Sequence, residues 1–499
     1  MSVLVMFPVI FPLICGAIML YLAKGETDDS GENRTKRIDL YKNKKFVIEL
    51  PVIINSIGTI AAVVCCYGKT FAVSGILDGL FLFKIDGLGA LFAVMISLLW
   101  PLATLYGFSY MSHEERKNSF FAWYLATFGV TAGVAFAGNL LTMYLFYEFL
   151  TLITLPLVMH TMTAEAKRAG LVYILYSLTG AALAFISTAV LLYFGDRGCF
   201  VYGGILEGLY QNHELLFQVF YLFGFLGFGV KAALFPFSEW LPIAGVAPVP
   251  VTALLHAVAV VKSGVFAVIR LTYYGFGADF LKDSPVSSIA MILAGITVIY
   301  GSTKAVREMH LKRRLAYSTV SNLSYILLGV TCMSPFGLVA ALCHMLFHAI
   351  AKIGAFFSCG SIMHFGKKNY VDEMEGMGFQ MPVTFVTLFI FGLSLAGIPG
   401  FAGFISKWRL GMAAFDTLSW KSLWMMGILA YSAVMTVIYM CSVCVRAFVR
   451  QDKTVKKEKC EADWKMLLPI CIFAAALIFF GFYHEPIIHI CEMIASGKL

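Results

Sequence analysis

Residues 344–352 read HMLFHAIAK, and the four-residue spacing of His344, His348 and Lys352 sets three ionisable groups on one face of a helix. The surrounding sequence, PFGLVAALC before it and IGAFFSCGSIM after it, is almost wholly apolar. Five more ionisable residues stand in similar company: Glu148 in LLTMYLFYEFLTLITLPLVM, Lys231 ahead of AALFPFSEWLP, His256 and Lys262 in TALLHAVAVVKSGVFAVIR, and Lys407 in SLAGIPGFAGFISKW. A charge at the centre of a bilayer costs about 2.5–3.5 kcal/mol. Five unpaired permanent charges, on Glu148, Lys231, Lys262, Lys352 and Lys407, would cost on the order of 12–17 kcal/mol. Such groups persist by pairing, by neutralising or by facing water, and they mark ion or proton pathways. The residue types suit proton movement. Histidine changes charge near neutral pH unaided, a lysine taken out of water gives up its proton more readily, and a neighbouring carboxylate restores the lysine's charge. One Glu–Lys pair is therefore a switch. The structural counterpart is a Glu–Lys pair that only fixes helix packing, or a lone His or Lys that snorkels from a span end. Arg270 and His160 are read in that second way, and His256 taken alone fits either reading.

The elements that must hold these residues are membrane helices. The chain has 499 residues, 60% hydrophobic and 13% charged, with a mean hydropathy of +0.83; a soluble domain carries about a quarter charged residues. Continuous apolar runs of twenty or so residues recur throughout, each long enough to cross a hydrocarbon core of about 30 Å. They do not alternate, which excludes a β-barrel. The expected fold is all-α and polytopic, with about 14 spans centred near residues 13, 57, 97, 128, 150, 181, 226, 261, 294, 326, 348, 395, 434 and 474. The first run has no basic residue before it and no cleavage site, so it reads as a retained span rather than a secretory signal.

Loops after odd-numbered spans hold most of the basic residues. Arg34, Lys36, Arg37, Lys42, Lys44 and Lys45 follow span 1; Arg116 and Lys117 follow span 3; Lys167 and Arg168 follow span 5. Arg307, Lys312, Arg313 and Arg314 follow span 9, Lys367 and Lys368 span 11, and Arg450, Lys453, Lys456, Lys457 and Lys459 span 13. The positive-inside rule then puts both termini outside a multi-pass plasma-membrane protein. The net charge of +8 follows from those loops and implies no nucleic acid. Helix breakers fall in span 7, at Pro236, and in span 12, at Pro399 and Gly400. Because these broken spans are five apart, spans 4–8 and 9–13 could be inverted repeats, a transporter plan. The implied division is 1–115 (spans 1–3), 116–275 (first repeat), 285–450 (second repeat) and 451–499 (basic loop and span 14). No phosphate-binding glycine loop, dinucleotide fingerprint or cysteine framework occurs. The one C-x-x-C, Cys441–Cys444, lies in an apolar helix and reads as chance. No cofactor or metal site is expected, and redox chemistry, if any, belongs to a partner.

In order along the chain, YLFYEFLTL, KAALFPFSEWLPIAGVAPVPVTALLHAVAVVKSGVFAVIR, RRLAYSTVSNLSYILLG, HMLFHAIAKIGAFFSCGSIMH and SLAGIPGFAGFISKW resemble the proton-translocating, antiporter-like subunits of NADH dehydrogenase, Mrp-type cation/proton antiporters and membrane-bound hydrogenases. The resemblance covers roughly residues 80–450. It implies fourteen spans with inverted five-span repeats and broken helices 7 and 12. It also implies a pairing of Glu148 with Lys231, a central axis continued by His256 and Lys262, a connection through His344, His348 and Lys352, and a terminal group at Lys407. Two departures stand out: His310 where relatives often have an acidic residue, and Pro399-Gly400 where they often have two prolines. The chain stops soon after span 14 and so is expected to lack the long lateral helix of the largest members. The implied function is proton translocation, with exchange for sodium as one form of it, by a non-redox component that works with other membrane subunits. The rival reading is a self-contained ion-coupled symporter for an organic solute.

Overall fold

The computed structural model describes residues 2–23, 46–72, 81–114, 116–195, 198–206, 208–416, 419–449 and 459–499. The basic residues Arg34 to Lys45 and Arg450 to Lys457 lie outside them. Among the described residues the chain is helical apart from a ribbon of two three-residue strands, β1 (Thr70–Ala72) antiparallel to β2 (Leu82–Lys84). The helices of nine or more residues are α1 (Ser2–Ala23), α2 (Phe46–Cys66), α3 (Gly87–Tyr110), α4 (Lys117–Phe136), α5 (Leu140–Val158) and α6 (Ala164–Phe194). Then come α7 (Tyr210–Lys231), α8 (Val249–Ala257), α9 (Val260–Ile269), α10 (Pro285–Arg307), α11 (Leu311–Thr331) and α12 (Pro335–Phe365). The last are α13 (Pro382–Ala396), α14 (Ala402–Asp416), α15 (Trp420–Phe448), α16 (Trp464–Phe482) and α17 (Glu485–Ala495).

Local chemistry sets the helix starts. Asp86 caps α3 by accepting from the Gly89 amide at 2.9 Å, and Asn139 caps α5 by accepting from the Thr142 amide at 2.9 Å. Ser334 caps α12, and Pro285, Pro335 and Pro382 open their helices where a missing N–H costs nothing. Exposed Leu171, Leu175 and Leu178 make an outward apolar stripe on α6, as do Ile10, Ile14 and Ile18 on α1. The centre is different. Every residue from Val249 to Phe276 is buried, and α12 is buried over most of its length.

Among the described residues twelve helical segments are long and apolar enough to cross a membrane. With their apolar outer faces they make the chain a multi-pass membrane protein, although the expected count of 14 is not reached by that measure. The two places that fall short are instructive. The helix α11 occupies the tenth place but is rich in Ser, Thr, Asn and basic residues, and the twelfth is split into α13 and α14. The segments that follow spans 5, 7, 9 and 11 meet where Arg168 at the start of α6, Pro242, Arg313 at the start of α11 and Asn369 line a common cavity. Asp86, Phe200 and Arg270, which flank even-numbered loops, meet elsewhere.

Two breaks fall where the breakers stand. The first separates α7 from the short helix Trp240–Ala244, with Ala233 at φ 57° and a cis Phe235–Pro236 peptide between them. The second has Gly397 at φ 86° and Gly400 at φ 92° between α13 and α14. Such values suit glycine, which has no Cβ to clash. A third break, at Val258–Ala259 between α8 and α9, has no Pro or Gly, and the sequence did not announce it. A wide helical turn over Arg270–Phe276 follows α9. The amphipathic α17, which turns Ile488, Cys491, Ile494 and Ala495 inward, was also unexpected.

Candidate functional site

The first cluster forms where α7 ends. Gly264 of α9 sits so close to that end that a Cβ there would lie 2.6 Å from the Ala232 nitrogen. This approach brings Lys231 and the Lys262 helix together. Lys231 Nζ lies 3.4 Å from Glu148 Oε1 and 3.4 Å from the centre of the Tyr147 ring, and it donates to the Tyr147 carbonyl. Lys231 is 1% exposed and Glu148 20%, so the ion pair is largely desolvated and its partners depend on each other. Glu148 stands at mid-helix, too far from either end of α5 to snorkel.

The second cluster is built on α12. Lys262 Nζ lies 2.7 Å from His348 Nδ1. The His348 ring stacks against that of His344, centroids 5.7 Å apart and planes at 16°. His344 Nδ1 is 2.9 Å from Ser406 Oγ on α14. Lys407, the next residue, donates to the carbonyls of Leu395 at 2.7 Å and Ala396 at 3.3 Å. Those carbonyls are available because α13 stops there: the last carbonyls of a helix have no partner within it. Lys407 also lies 4.8 Å from the Tyr325 ring, whose edge meets His344 at 5.4 Å. The broken helix thus supplies both the acceptors and the position of its lysine. His344 and His348 each use Nδ1, while each Nε2 is buried without a hydrogen-bond partner among the described residues.

Six expected residues therefore fall into two contact groups, Glu148 with Lys231, and Lys262, His348, His344 and Lys407 in series. Lys352 belongs to neither. It turns from the histidines toward α11, donating to Leu315 O at 3.0 Å and Ser318 Oγ at 2.7 Å, and Ser318 continues to the Tyr439 hydroxyl at 2.6 Å. Equal sequence spacing put three residues on one face, but packing against α11 draws the last aside. His256 is buried with neither ring nitrogen bonded among the described residues, 4.9 Å from the Phe356 ring. Pro236, Pro399 and Gly400 lie in the two breaks and act on the site through the course of the backbone.

Other polar groups were not anticipated. Arg270 is wholly buried, not snorkelling: it makes a two-pronged ion pair with Asp86 and lies 4.6 Å from the Tyr274 ring. The signal for Asp86 was its place just before an apolar run, a helix-start position. Glu239 accepts from Tyr300 and, at 3.2 Å, from Tyr317. His160 packs edge-on against Phe120 at 5.3 Å. Among the described residues no group of three His, Cys, Asp or Glu side chains is arranged to hold a metal ion.

Comparison with known proteins agrees with this geometry. Residues 137–443 match the family described as NADH:quinone oxidoreductase/Mrp antiporter, TM, and residues 72–121 match NADH-Ubiquinone oxidoreductase (complex I), chain 5 N-terminus. The A-type subunit of the Na(+)/H(+) antiporter of Alkalihalophilus pseudofirmus is 32% identical over 431 residues, covering 80% of this chain and 52% of that protein. The A1-type subunit of the Na(+)/H(+) antiporter of Staphylococcus aureus is 29% identical over 426 residues, 80% of this chain and 52% of that one. The chain thus spans about half the length of the curated relatives it matches. Among solved structures, a chain of the archaeal membrane-bound sulfane sulfur reductase has a TM-score of 0.82 at 21% identity, covering 99% of this chain and 97% of that chain. A chain of the Mrp complex from Dietzia sp. has 0.82 at 20%, with the same coverage. One of respiratory complex I from Thermus thermophilus has 0.79 at 20%, covering 99% of each chain. At these identities the likeness is one of fold. The matched region takes in more than half the sequence and all eight ionisable residues, and the chain belongs to the NADH:quinone oxidoreductase/Mrp antiporter transmembrane family.

Proposed function

We propose that the chain is a proton-translocating subunit of a larger membrane complex and that protons move laterally along its buried ionisable residues. The observation that carries this reading is the series Lys262, His348, His344, Ser406 and Lys407, in which ionisable side chains and one hydroxyl follow one another through the protein interior. Glu148 and Lys231 form the input switch: the carboxylate sets whether the lysine keeps its proton. Lys407 is the terminal carrier. His256 and Lys352 lie outside the series, and Lys352 instead meets the hydroxyl of Ser318, which bonds that of Tyr439. The fold likeness to chains of an Mrp complex and of complex I, and the identity to A-type Na(+)/H(+) antiporter subunits, support partner membrane subunits and an exchange of protons for sodium. On this reading the chain sits in the plasma membrane with both termini outside, and 1–115, 116–275, 285–450 and 451–499 are its functional divisions.

The test is proton flux in vesicles holding the chain with its co-purifying subunits, read by a pH-sensitive dye as a rate per inserted complex. Flux is expected to fall for Lys262→Ala and Lys407→Ala alike. Wild-type flux in both, with labelled organic solute taken up instead, gives the symporter reading.

A further inference from the structure

The starts of α6 and α11 and the segments after spans 7 and 11 line a cavity of about 660 Å3. Three cations line it, Arg168, Lys312 and Arg313, with the imidazole of His310, against a single carboxylate, Glu165. Among the described residues none of the three cations lies within 4.0 Å of a carboxylate. Arg168 and Arg313 are exposed, while Lys312 is 8% exposed and donates to the Ala247 carbonyl at 3.0 Å. Like charges gathered in one concavity repel each other, and an anion seated among them removes that repulsion. Burial first, then the charges of Lys312 and Arg313, hold the His310 imidazole below its ordinary range, against the opposing Glu308.

We propose that this cavity is a binding site for a phosphate-class anion, held by the guanidinium forks of Arg168 and Arg313 with Lys312 beneath it. Planar forks match phosphate oxygens two at a time, and an ammonium adds a point charge. The same chemistry is offered by inorganic phosphate and by the headgroup of an anionic phospholipid. The volume accommodates either. The site also abuts the proton path. The Ala247 carbonyl that holds Lys312 accepts from Thr252 Oγ1 at 2.9 Å, and Thr252 stands one helical turn before His256 on α8. An anion that draws Lys312 from that carbonyl alters the charge near His256. This last consequence rests on the proton-path reading; the binding does not.

The experiment follows thermal unfolding of the full chain, in the complex with which it co-purifies, delipidated in neutral detergent. Sodium phosphate is titrated against sodium chloride at equal ionic strength, and phosphatidylglycerol against phosphatidylcholine. The midpoint is expected to rise saturably with phosphate, with phosphatidylglycerol or with both, and not with chloride or phosphatidylcholine. A rise with phosphatidylglycerol alone identifies the lipid as the source, and a rise with phosphate alone the free anion. Arg168→Gln with Arg313→Gln should weaken the apparent affinity by at least about tenfold, the least that losing a charged hydrogen bond gives. Lys167→Gln, beside Arg168 in the first turns of α6 but outside the cavity lining, should not. If the glutamine pair fails to assemble, Arg168→Lys with Arg313→Lys keeps the charge and should weaken binding through loss of the forks. Equal shifts with chloride, no shift with either probe, or wild-type affinity in the arginine variants would overturn the site.

Discussion

At the scale of single residues, the buried ion pair makes the sharpest case. Glu148→Gln keeps size and hydrogen bonding and removes only the charge facing Lys231. Proton flux per inserted complex is expected to fall at least about tenfold, the change that 1.4 kcal/mol on a barrier produces, while the yield of assembled complex stays near wild type. Undiminished flux in a correctly inserted variant removes Glu148 from the path. The histidine pair invites a different measurement. Because His344 and His348 stack in one series, their effects should not add: the double alanine variant should cost little more flux than the worse single one. Multiplying losses would mean that each histidine serves a separate route. Lys352 is bonded to α11 instead, so Lys352→Arg probes a side branch. Arginine keeps the charge and cannot release its proton. Full flux in that variant would show that Lys352 anchors α11 and relays nothing.

At the scale of elements, the break between α13 and α14 places a lysine by freeing carbonyls. Gly403 makes this junction possible: a Cβ there would lie 1.8 Å from the Ser394 carbonyl oxygen, and its amide donates to Ser394 Oγ at 3.1 Å. Gly403→Ala must push the two halves apart. The expected cost is about 1–3 kcal/mol of stability, as for overpacking in a tight core, accompanied by loss of flux because Leu395 and Ala396 no longer meet Lys407. Gly427, whose Cβ would meet nothing within 4 Å, is the control, and Gly427→Ala should leave midpoint and flux unchanged. If Gly403→Ala melts and transports like that control, the junction is not what positions Lys407.

At the scale of the whole molecule, Asp86 and Arg270 tie α3 to the end of α9 across 184 positions of sequence. Arg270→Gln leaves a carboxylate largely buried without its cation. Removing one partner of such a pair costs about 3–5 kcal/mol, so the thermal midpoint should drop clearly and Asp86→Asn added to it should recover part of the loss. The pair also sets a pH dependence. Burial pushes the Asp86 carboxyl up, but the charge and hydrogen bonds of Arg270 and the Gly89 amide outweigh it and hold the group below the usual carboxylate range. A depressed carboxyl contributes its stability in full above its unfolded value of about 3.9 and loses it as pH falls through the folded value. Wild-type midpoints should therefore fall below about pH 4, with a shallower slope in Asp86→Asn. Equal slopes would place the acid sensitivity elsewhere.

Hydropathy was enough to identify the long apolar helices, because an apolar run of membrane length has one stable outcome in a bilayer. Hydropathy and residue type together also singled out the eight ionisable residues as candidates, since a charge among such neighbours is costly to keep. Two of the three breaks were legible for the same local reason, Pro and Gly being unable to continue a helix at Pro236 and at Pro399-Gly400. The third, at Val258–Ala259, was not, because nothing in those side chains disfavours a helix and only the surrounding packing interrupts it. Partnership was likewise beyond the linear pattern. His344, His348 and Lys352 share a face by spacing alone, yet the first two join Lys262 and Ser406 while the third leaves for Ser318. Arg270, at the end of a run, has the composition of a snorkelling residue, and only the arrival of Asp86 from a distant helix start made it a buried partner. Spacing decides which side of a helix a group occupies; which other helix meets that side is a property of the whole packed chain.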